Sequence, residues 1–312
     1  MPRWTTSSGS EAATPLLPAP ASIAGGRDVF LKREDVHELG AFKWRGATRA
    51  LEAYRAGGAS SVVTASTGNH GAATAWAARR LGMHAIVYVP RGASATKTAR
   101  IREHGAELRE LGADLDEAKD LARSAARDLA LPFFEDGESE PQIAGYEAIG
   151  AEVLAQCPAP PAAVICPVGN GALLGGIGRA LARATRHPRC IGVVAKEAPV
   201  MGLSHLAGRA VAYGGMATFA DGLAVRVAIP SAVDLLRSVV HEILFVSERA
   251  MARAIGGMDA CGIRVEGAAA APLAALPQLD LAPGPVVLVI TGRNIDDELH
   301  RRAVQDPESF PE

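Results

Sequence analysis

Aromatic residues are scarce in this chain: Phe, Tyr and Trp make up 4% of it, and they do not alternate with Arg or Lys as a base-stacking surface requires. An excess of one charge is lacking too. Lys+Arg total 32 against Asp+Glu 34, a net charge of -2, so neither a polyanion nor an anionic membrane surface is called for. Nucleic acid is not an expected partner. No apolar run reaches the roughly 18 residues of a membrane span, and the opening MPRWTTSSGSEAATPLLPAP has no cationic start followed by an unbroken apolar stretch. No membrane association is expected. Cys157, Cys166, Cys190 and Cys261 are scattered, with no CxxC and no His at metal-ligand spacing, which argues against a disulfide scaffold or a zinc ribbon. They read as small apolar fillers in a cytoplasmic, reducing setting.

What is present points to a globular α/β chain. With 312 residues, about two domains are expected. The 48% hydrophobic and 21% charged content is that of an ordinary packed protein. The first two dozen residues, rich in Ser, Ala, Pro and Gly, read as a loosely held arm. From Asp28 onward short β-branched runs alternate with longer Ala, Leu and Arg-rich stretches, the pattern of a parallel sheet covered by helices. Strands are predicted at DVFLKRE, SVVTAS, HAIVYVP, AAVICPV, CIGVVAKE, EILFVS and PVVLVIT, and helices at 71–81, 94–104, 116–130 and 142–156. No repeat of 20–50 residues is visible.

Three of these strands run into glycine-containing loops: STGNHG at 66–71, VGNGALLGG at 168–176 and TGRN at 291–294. Ligands in open α/β sheets bind at the carboxyl ends of strands, so the loops are candidates for a common crevice. VICPVGNGALLGGIGRAL reads as strand, tight turn and helix start, where backbone N–H groups and the helix dipole favour an anion such as phosphate. Two other readings stay open: the glycines at 169, 171, 175 and 176 serve close helix packing, or the loop with Glu197 downstream is the dinucleotide site of a nicotinamide-dependent oxidoreductase. Lys43 lies between Phe42 and Trp44 just after Gly40. An amine in partly apolar surroundings is easier to deprotonate and suits Schiff-base chemistry, whereas a surface lysine snorkelling from a helix is the plainer alternative.

Seven segments, in order, settle which context applies: TPL at 14–16, KREDVHELGAFKWRGA at 32–47, ASTGNHG at 65–71, PVGNGALLGGI at 167–177, FADGLAV at 219–225, IRVEGAAA at 263–270 and TGRNID at 291–296. Together they resemble the fold-type II pyridoxal-phosphate enzymes, most closely the threonine/serine dehydratase and serine racemase group. The resemblance implies a tryptophan synthase β-like fold, two open twisted mostly parallel sheets flanked by helices. It divides the chain into a large cofactor domain, 1–54 plus 141–312, and a small domain, 55–140. It implies that Lys43 carries pyridoxal 5'-phosphate as a Schiff base beside Phe42, that Gly169, Asn170, Gly171, Ala172 and Leu173 bind the phosphate, that Asn69 meets the ring hydroxyl, and that Thr291 faces the pyridine nitrogen. Ser66, Thr67, Gly68 and His70 would clasp the substrate carboxylate, with Gly71 completing the loop. Asp221 and Glu266 match acidic positions near the site. The implied reaction is β-elimination: Lys43 removes the α-proton, the β-hydroxyl of a small hydroxy amino acid such as L-threonine or L-serine leaves with the bound phosphate as proton donor, and a 2-oxo acid and ammonia result. A homodimer is implied as well.

The chain departs from that family at several places. Leu39–Gly40–Ala41–Phe42–Lys43 lacks the serine common before the Phe–Lys pair, and Ala172 replaces the fourth glycine of the phosphate loop. AGYEA at 144–148 stands for AGQGT; in the family arrangement this brings Tyr146 and Glu147 near the domain cleft and raises the expectation of a basic or amino-bearing substrate side chain. Val194 and Val200 occupy places where racemase-like members hold a divalent cation, so no metal is expected there, with Glu197 as the acid nearby. Thr67 offers the hydroxyl that a racemase uses as a second acid, so racemisation is a side reading, and threonine synthase-like replacement is another. The end at Glu312 leaves no expectation of a regulatory domain or of allosteric control by amino acids.

Overall fold

The β-branched runs that look buried on both faces in the sequence are so: every position of Ala163–Pro167 and of Val286–Ile290 is buried. Continuous apolar strands of this kind need helices on both sides. The structure, a computed structural model, describes residues 13–312. Its strands are β1 (Leu16–Pro18), β2 (Val29–Arg33), β3 (Ser61–Ala65), β4 (His84–Val89), β5 (Glu107–Glu110), β6 (Ala163–Pro167), β7 (Arg189–Ala195), β8 (Glu242–Val246) and β9 (Val286–Ile290). Six of them form a sheet in the order β1-β2-β9-β6-β7-β8, and β3-β4-β5 form a second sheet. All pairings within them are parallel except β1 with β2.

Alternation along the strands sorts side chains to the two faces of the larger sheet. Ala163 and Ile165 of β6 join one core with the helices Glu248–Asp259 and Gly267–Ala275; Val164 and Cys166 join the other with Glu140–Gln156 and Ala172–Leu181. The four cysteines are free, and Cys166 and Cys190 are buried in that second core, where burial pushes the Cys190 thiol up to about 12. Helices predicted from periodicity occur as Asn69–Leu81, Ala95–Glu103, Leu115–Asp128 and Glu140–Gln156.

Two elements depart from expectation. Of the amino-terminal arm, residues 1–12 lie outside the described residues, but 13–24 are not loose: β1 pairs with β2, and Ile23 from the short helix Ala21–Ala24 enters the core. Pro18 is tolerated because an edge strand need not offer every N–H to a ladder. The other is β5, ELRE, whose charges hid it; it closes the edge of the small sheet, where charge discourages further pairing. Where β2 meets the helix Trp44–Ala56, a charge cluster is buried. Glu34 accepts from Arg45, Arg45 reaches Glu152, and Lys32 donates to Glu152 at 2.5 Å.

Candidate active site

Neighbouring strands β2, β9 and β6 run parallel with their carboxyl ends together, and the loops that follow β2 and β9 are tied to each other by hydrogen bonds. After β2 the chain passes through the 3-10 turn Glu34–Val36 and returns to set Lys43 directly before the helix Trp44–Ala56. Gly40 permits that return: its φ is +64°, and a Cβ there would meet Asn294 Oδ1 at 2.6 Å. The Phe42 N–H donates to the Thr291 carbonyl at 3.0 Å, so the lysine loop is fixed to the end of β9. Lys43 Nζ lies 5.1 Å from the Phe42 ring centroid, while Trp44 turns away to stack on His37.

An acidic residue to which the sequence reading gave no role completes this corner. Asp136 Oδ2 accepts from Lys43 Nζ at 2.5 Å, and the two side chains are 27% and 16% exposed. Gln142 Nε2 donates to Asp136 Oδ1 at 2.7 Å, and His70 Nδ1 stands 3.5 Å from the same oxygen. Burial alone would raise this carboxyl, but Lys43 and then His70 outweigh it and hold it below the usual carboxylate range. The signal that could have found it is Phe133–Phe134: this pair runs beside β3, with Phe133 opposite Val63, so Asp136 leaves the end of the small sheet as a site loop does.

The GNGA turn joins the corner through Asn170, whose Nδ2 donates to the Asp136 carbonyl at 3.1 Å. Its Oδ1 accepts from the Ala172 N–H at 3.1 Å, capping one donor that the phosphate reading counted on. Gly171 (φ +96°) turns the chain into the helix Ala172–Leu181, and Gly169 presses so closely on the Gly222 carbonyl that a Cβ would sit 2.5 Å from it. Gly175 and Gly176 instead serve helix packing, against Leu235 and the Ile143 carbonyl. The packing reading of the glycines thus holds at 175 and 176, while 169 and 171 shape the turn itself. Leu173 is buried in the first turn of the helix.

From the small sheet, β3 delivers STGNHG into the helix Asn69–Leu81. Ser66 and Thr67 are partly exposed, Gly68 is exposed, and the Gly68 N–H donates to Ser66 Oγ at 3.1 Å. A side chain on Gly71 would strike the Ser66 carbonyl at 2.6 Å. Asn69 bridges two other loops, accepting from Asn294 Nδ2 at 2.7 Å and donating to Glu266 Oε2 at 3.1 Å. His70 is buried against Phe134, with Nε2 3.1 Å from Thr64 Oγ1; burial lowers its basicity against the pull of Asp136. Thr291 is 1% exposed, with Oγ1 3.5 Å from Glu266 Oε1. Asp221 is exposed on the turn Asp221–Leu223, close enough to add to the upward shift of Glu266.

Tyr146 lies next to the Lys43 corner, its hydroxyl accepting from Gln142 Nε2 at 3.1 Å, but it is a packed residue, and Glu147 is tied to arginines. Tyr146 is fully buried beneath the Lys43 helix, its ring 5.1 Å from that of Phe42, in a space that exists because residue 46 is glycine. Glu147 points to the opposite side of its helix and pairs with Arg179 and Arg183. Val194 and Val200 are core residues, and among the described residues no group of three or more His, Cys, Asp or Glu could hold a metal ion.

Glu266 offers a pH test. Burial pushes its carboxyl from 4.5 up to about 7, against the Asn69 hydrogen bond. The folded chain therefore keeps a proton that the unfolded chain gives up, and this stabilisation, full below 4.5, is lost as pH rises toward about 7. Relative to Glu266→Gln, which is neutral throughout, the wild type should lose on the order of 1 kcal/mol per pH unit between about pH 5 and 7. Urea unfolding of both proteins across that range checks it, and parallel curves would contradict it.

A primary amine, a GNGA turn at a helix start, a bridging Asn and a buried threonine hydroxyl lie together around the carboxyl ends of β2, β9 and β6, a donor set that fits an aldehyde, a phosphate and a pyridine ring. The comparisons agree with that fit. A profile described as pyridoxal-phosphate dependent enzyme matches residues 8–292. The chain is 35% identical over 276 residues to the L-threonine ammonia-lyase of Geobacter sulfurreducens, covering 87% of this chain and 68% of that one. Among solved structures, the processed threonine deaminase isoform 2 of Solanum lycopersicum superposes with a TM-score of 0.89 at 25% identity, covering 96% of this chain and 89% of that one. Maize serine racemase gives 0.85 at 25% identity, with 94% and 91% covered. On the match over residues 8–292 and the likeness to that ammonia-lyase, the chain belongs to the pyridoxal-phosphate dependent enzymes.

Proposed function

We propose that this lyase eliminates the β-hydroxyl of a small hydroxy amino acid such as L-threonine or L-serine, giving a 2-oxo acid and ammonia. The observation that carries the reading is the meeting of Lys43, the GNGA turn and Thr291 at the carboxyl ends of adjacent strands. Its likeness to an L-threonine ammonia-lyase at 35% identity supports the substrate class. Lys43 holds the cofactor, Gly169 to Leu173 hold its phosphate, and Asn69 and Thr291 meet the ring. When bound, pyridoxal phosphate supplies a sink for the electron pair left at Cα. Ser66, Thr67 and the amides of Gly68 and Asn69 take the substrate carboxylate, where the start of the helix Asn69–Leu81 favours negative charge. Lys43 Nζ then receives the α-proton.

Residues 55–140 form the unit that moves, carrying the carboxylate loop over the substrate and excluding water while charge resides on Cα. The chain works in the cytoplasm as a homodimer, a state that sedimentation of the purified protein checks. No helix of the described residues is long and apolar enough to cross a membrane. The functional test is direct. Purified protein should absorb near roughly 410 nm, lose the band on borohydride treatment, and release equal amounts of ammonia and 2-oxo acid from L-threonine or L-serine. A colourless protein, or a coloured one that leaves both amino acids untouched, would defeat the reading.

A further inference from the structure

We propose that Glu266 keeps a proton for the ring nitrogen of the cofactor and passes it on through the Thr291 hydroxyl as negative charge builds up on the ring. In the reading above, on which this rests, Thr291 meets that nitrogen. Glu266 itself touches neither substrate nor ring and works through another side chain, as a positioning residue does.

The carboxyl is built into the site. Glu266 stands at the start of the helix Gly267–Ala275, yet its side chain makes no capping hydrogen bond there and turns to the end of β9 instead. Gly292 gives it room, since a Cβ at 292 would lie 2.7 Å from both carboxyl oxygens. Glu266 is 9% exposed and Thr291 1%, so solvent does not supply the partners of either. Asn69 Nδ2 donates to Oε2 at 3.1 Å, and that amide is held in turn by Asn294 Nδ2 on its Oδ1. Oε1 is left to face Thr291 Oγ1 at 3.5 Å. Burial pushes the carboxyl up to about 7; Asp221 adds to that, while the Asn69 hydrogen bond and the charges of Lys43 and Arg100 work against it. The acid therefore holds its proton below neutrality and can part with it.

The direction of the hydrogen bonds follows from the donors available. With Oε2 taken by the Asn69 N–H, the acid proton belongs on Oε1 and is donated to Thr291 Oγ1. The hydroxyl proton of Thr291 is then free to be donated to a bare ring nitrogen. When the electron pair left at Cα spreads into the ring, that nitrogen becomes more basic. It takes the Thr291 proton, Thr291 takes the Glu266 proton, and the hydroxyl ends pointing at the carboxylate. One O–H bond of Glu266 breaks, one N–H bond forms, and the threonine carries one proton throughout. The transfer reverses once the electron pair leaves the ring. A neutral hydroxyl alone has no proton to give up in this way; one backed by a buried acid has.

The test uses cofactor-loaded protein and two measurements. The first is the nitrogen-15 resonance of the ring in wild type loaded with labelled pyridoxal phosphate, which separates a bare from a protonated nitrogen. Without substrate it should be bare at about pH 6, and a nitrogen already protonated there overturns the proposal even if the variants do not fold. The second is exchange of the α-proton of L-alanine with solvent deuterium, which needs no leaving group, in wild type, Glu266→Gln, Thr291→Ser and Thr291→Val. The rate of wild type over that of Glu266→Gln should be about 100 at about pH 6 and fall by about tenfold for each pH unit above about 7, as the wild type loses the proton it holds. Relative to Glu266→Gln, Thr291→Ser should keep this pH dependence and Thr291→Val should lose it with Glu266 still in place. A ratio that is constant from about pH 6 to about pH 9 makes Glu266 structural and overturns the proposal, and so does a Thr291→Val protein that keeps the pH dependence. Failure of the underlying reading looks different: the visible band is missing, or L-threonine and L-serine yield no ammonia.

Discussion

Lys43→Ala is expected to lower turnover by about 10⁴-fold or more and to abolish the borohydride-sensitive visible band, while the protein stays folded. The size of the effect follows from one nitrogen doing two things, holding the cofactor and taking the α-proton. The fold should tolerate the change because the Lys43 side chain is partly exposed, caps no helix, and its ion pair is with Asp136, which keeps Gln142 and His70 as partners. Lys43→Arg separates charge from chemistry: it restores a cation beside Asp136 but offers no amine for the covalent link. It should therefore match Lys43→Ala in activity. Turnover within tenfold of wild type in either variant, or a visible band that survives, would remove this lysine from the reaction.

How far the sequence alone reached is clearest at particular residues. The buried parallel strands were legible because both faces must be apolar, so β6 and β9 read as unbroken runs. β1 and β5 were not, since edge strands carry proline or charge that serve them at the edge and disguise them in a one-dimensional pattern. Lys43, Asn69, the GNGA turn and Thr291 were legible because each sits in a short local signature. Asp136 had only the weak cue of Phe133–Phe134 running beside β3; its pairing with Lys43, far away in the chain, leaves no periodicity. Tyr146, matched to a family block, packs beneath the lysine helix against Gly46 and Phe42, a burial that the block itself does not reveal.

The same long-range logic gives the largest expected effect on stability, in the charge cluster that braces the lysine loop. Glu34 is 0% exposed and accepts from Arg45 Nε at 2.8 Å, from Arg45 Nη2 at 3.0 Å and from Thr14 Oγ1 at 2.5 Å. Arg45 also holds Glu152, and Lys32, equally buried, donates to Glu152 and to the Thr14 carbonyl. Two cations thus face two anions. Glu34→Ala strands a buried positive charge and should cost about 3–5 kcal/mol in urea unfolding. Because Glu34 follows β2 and Arg45 lies just past Lys43, the variant should also release its cofactor more readily, seen as faster bleaching of the visible band on dilution. The double variant Glu34→Leu, Arg45→Met removes both members of one pair and leaves Lys32 with Glu152. It should be less destabilised than Glu34→Ala, since an apolar replacement avoids the desolvation that an unpaired guanidinium suffers. Additive losses in the double variant, or a cost for Glu34→Ala below about 1 kcal/mol, would show that solvent reaches the cluster and that packing, not charge balance, holds the lysine loop.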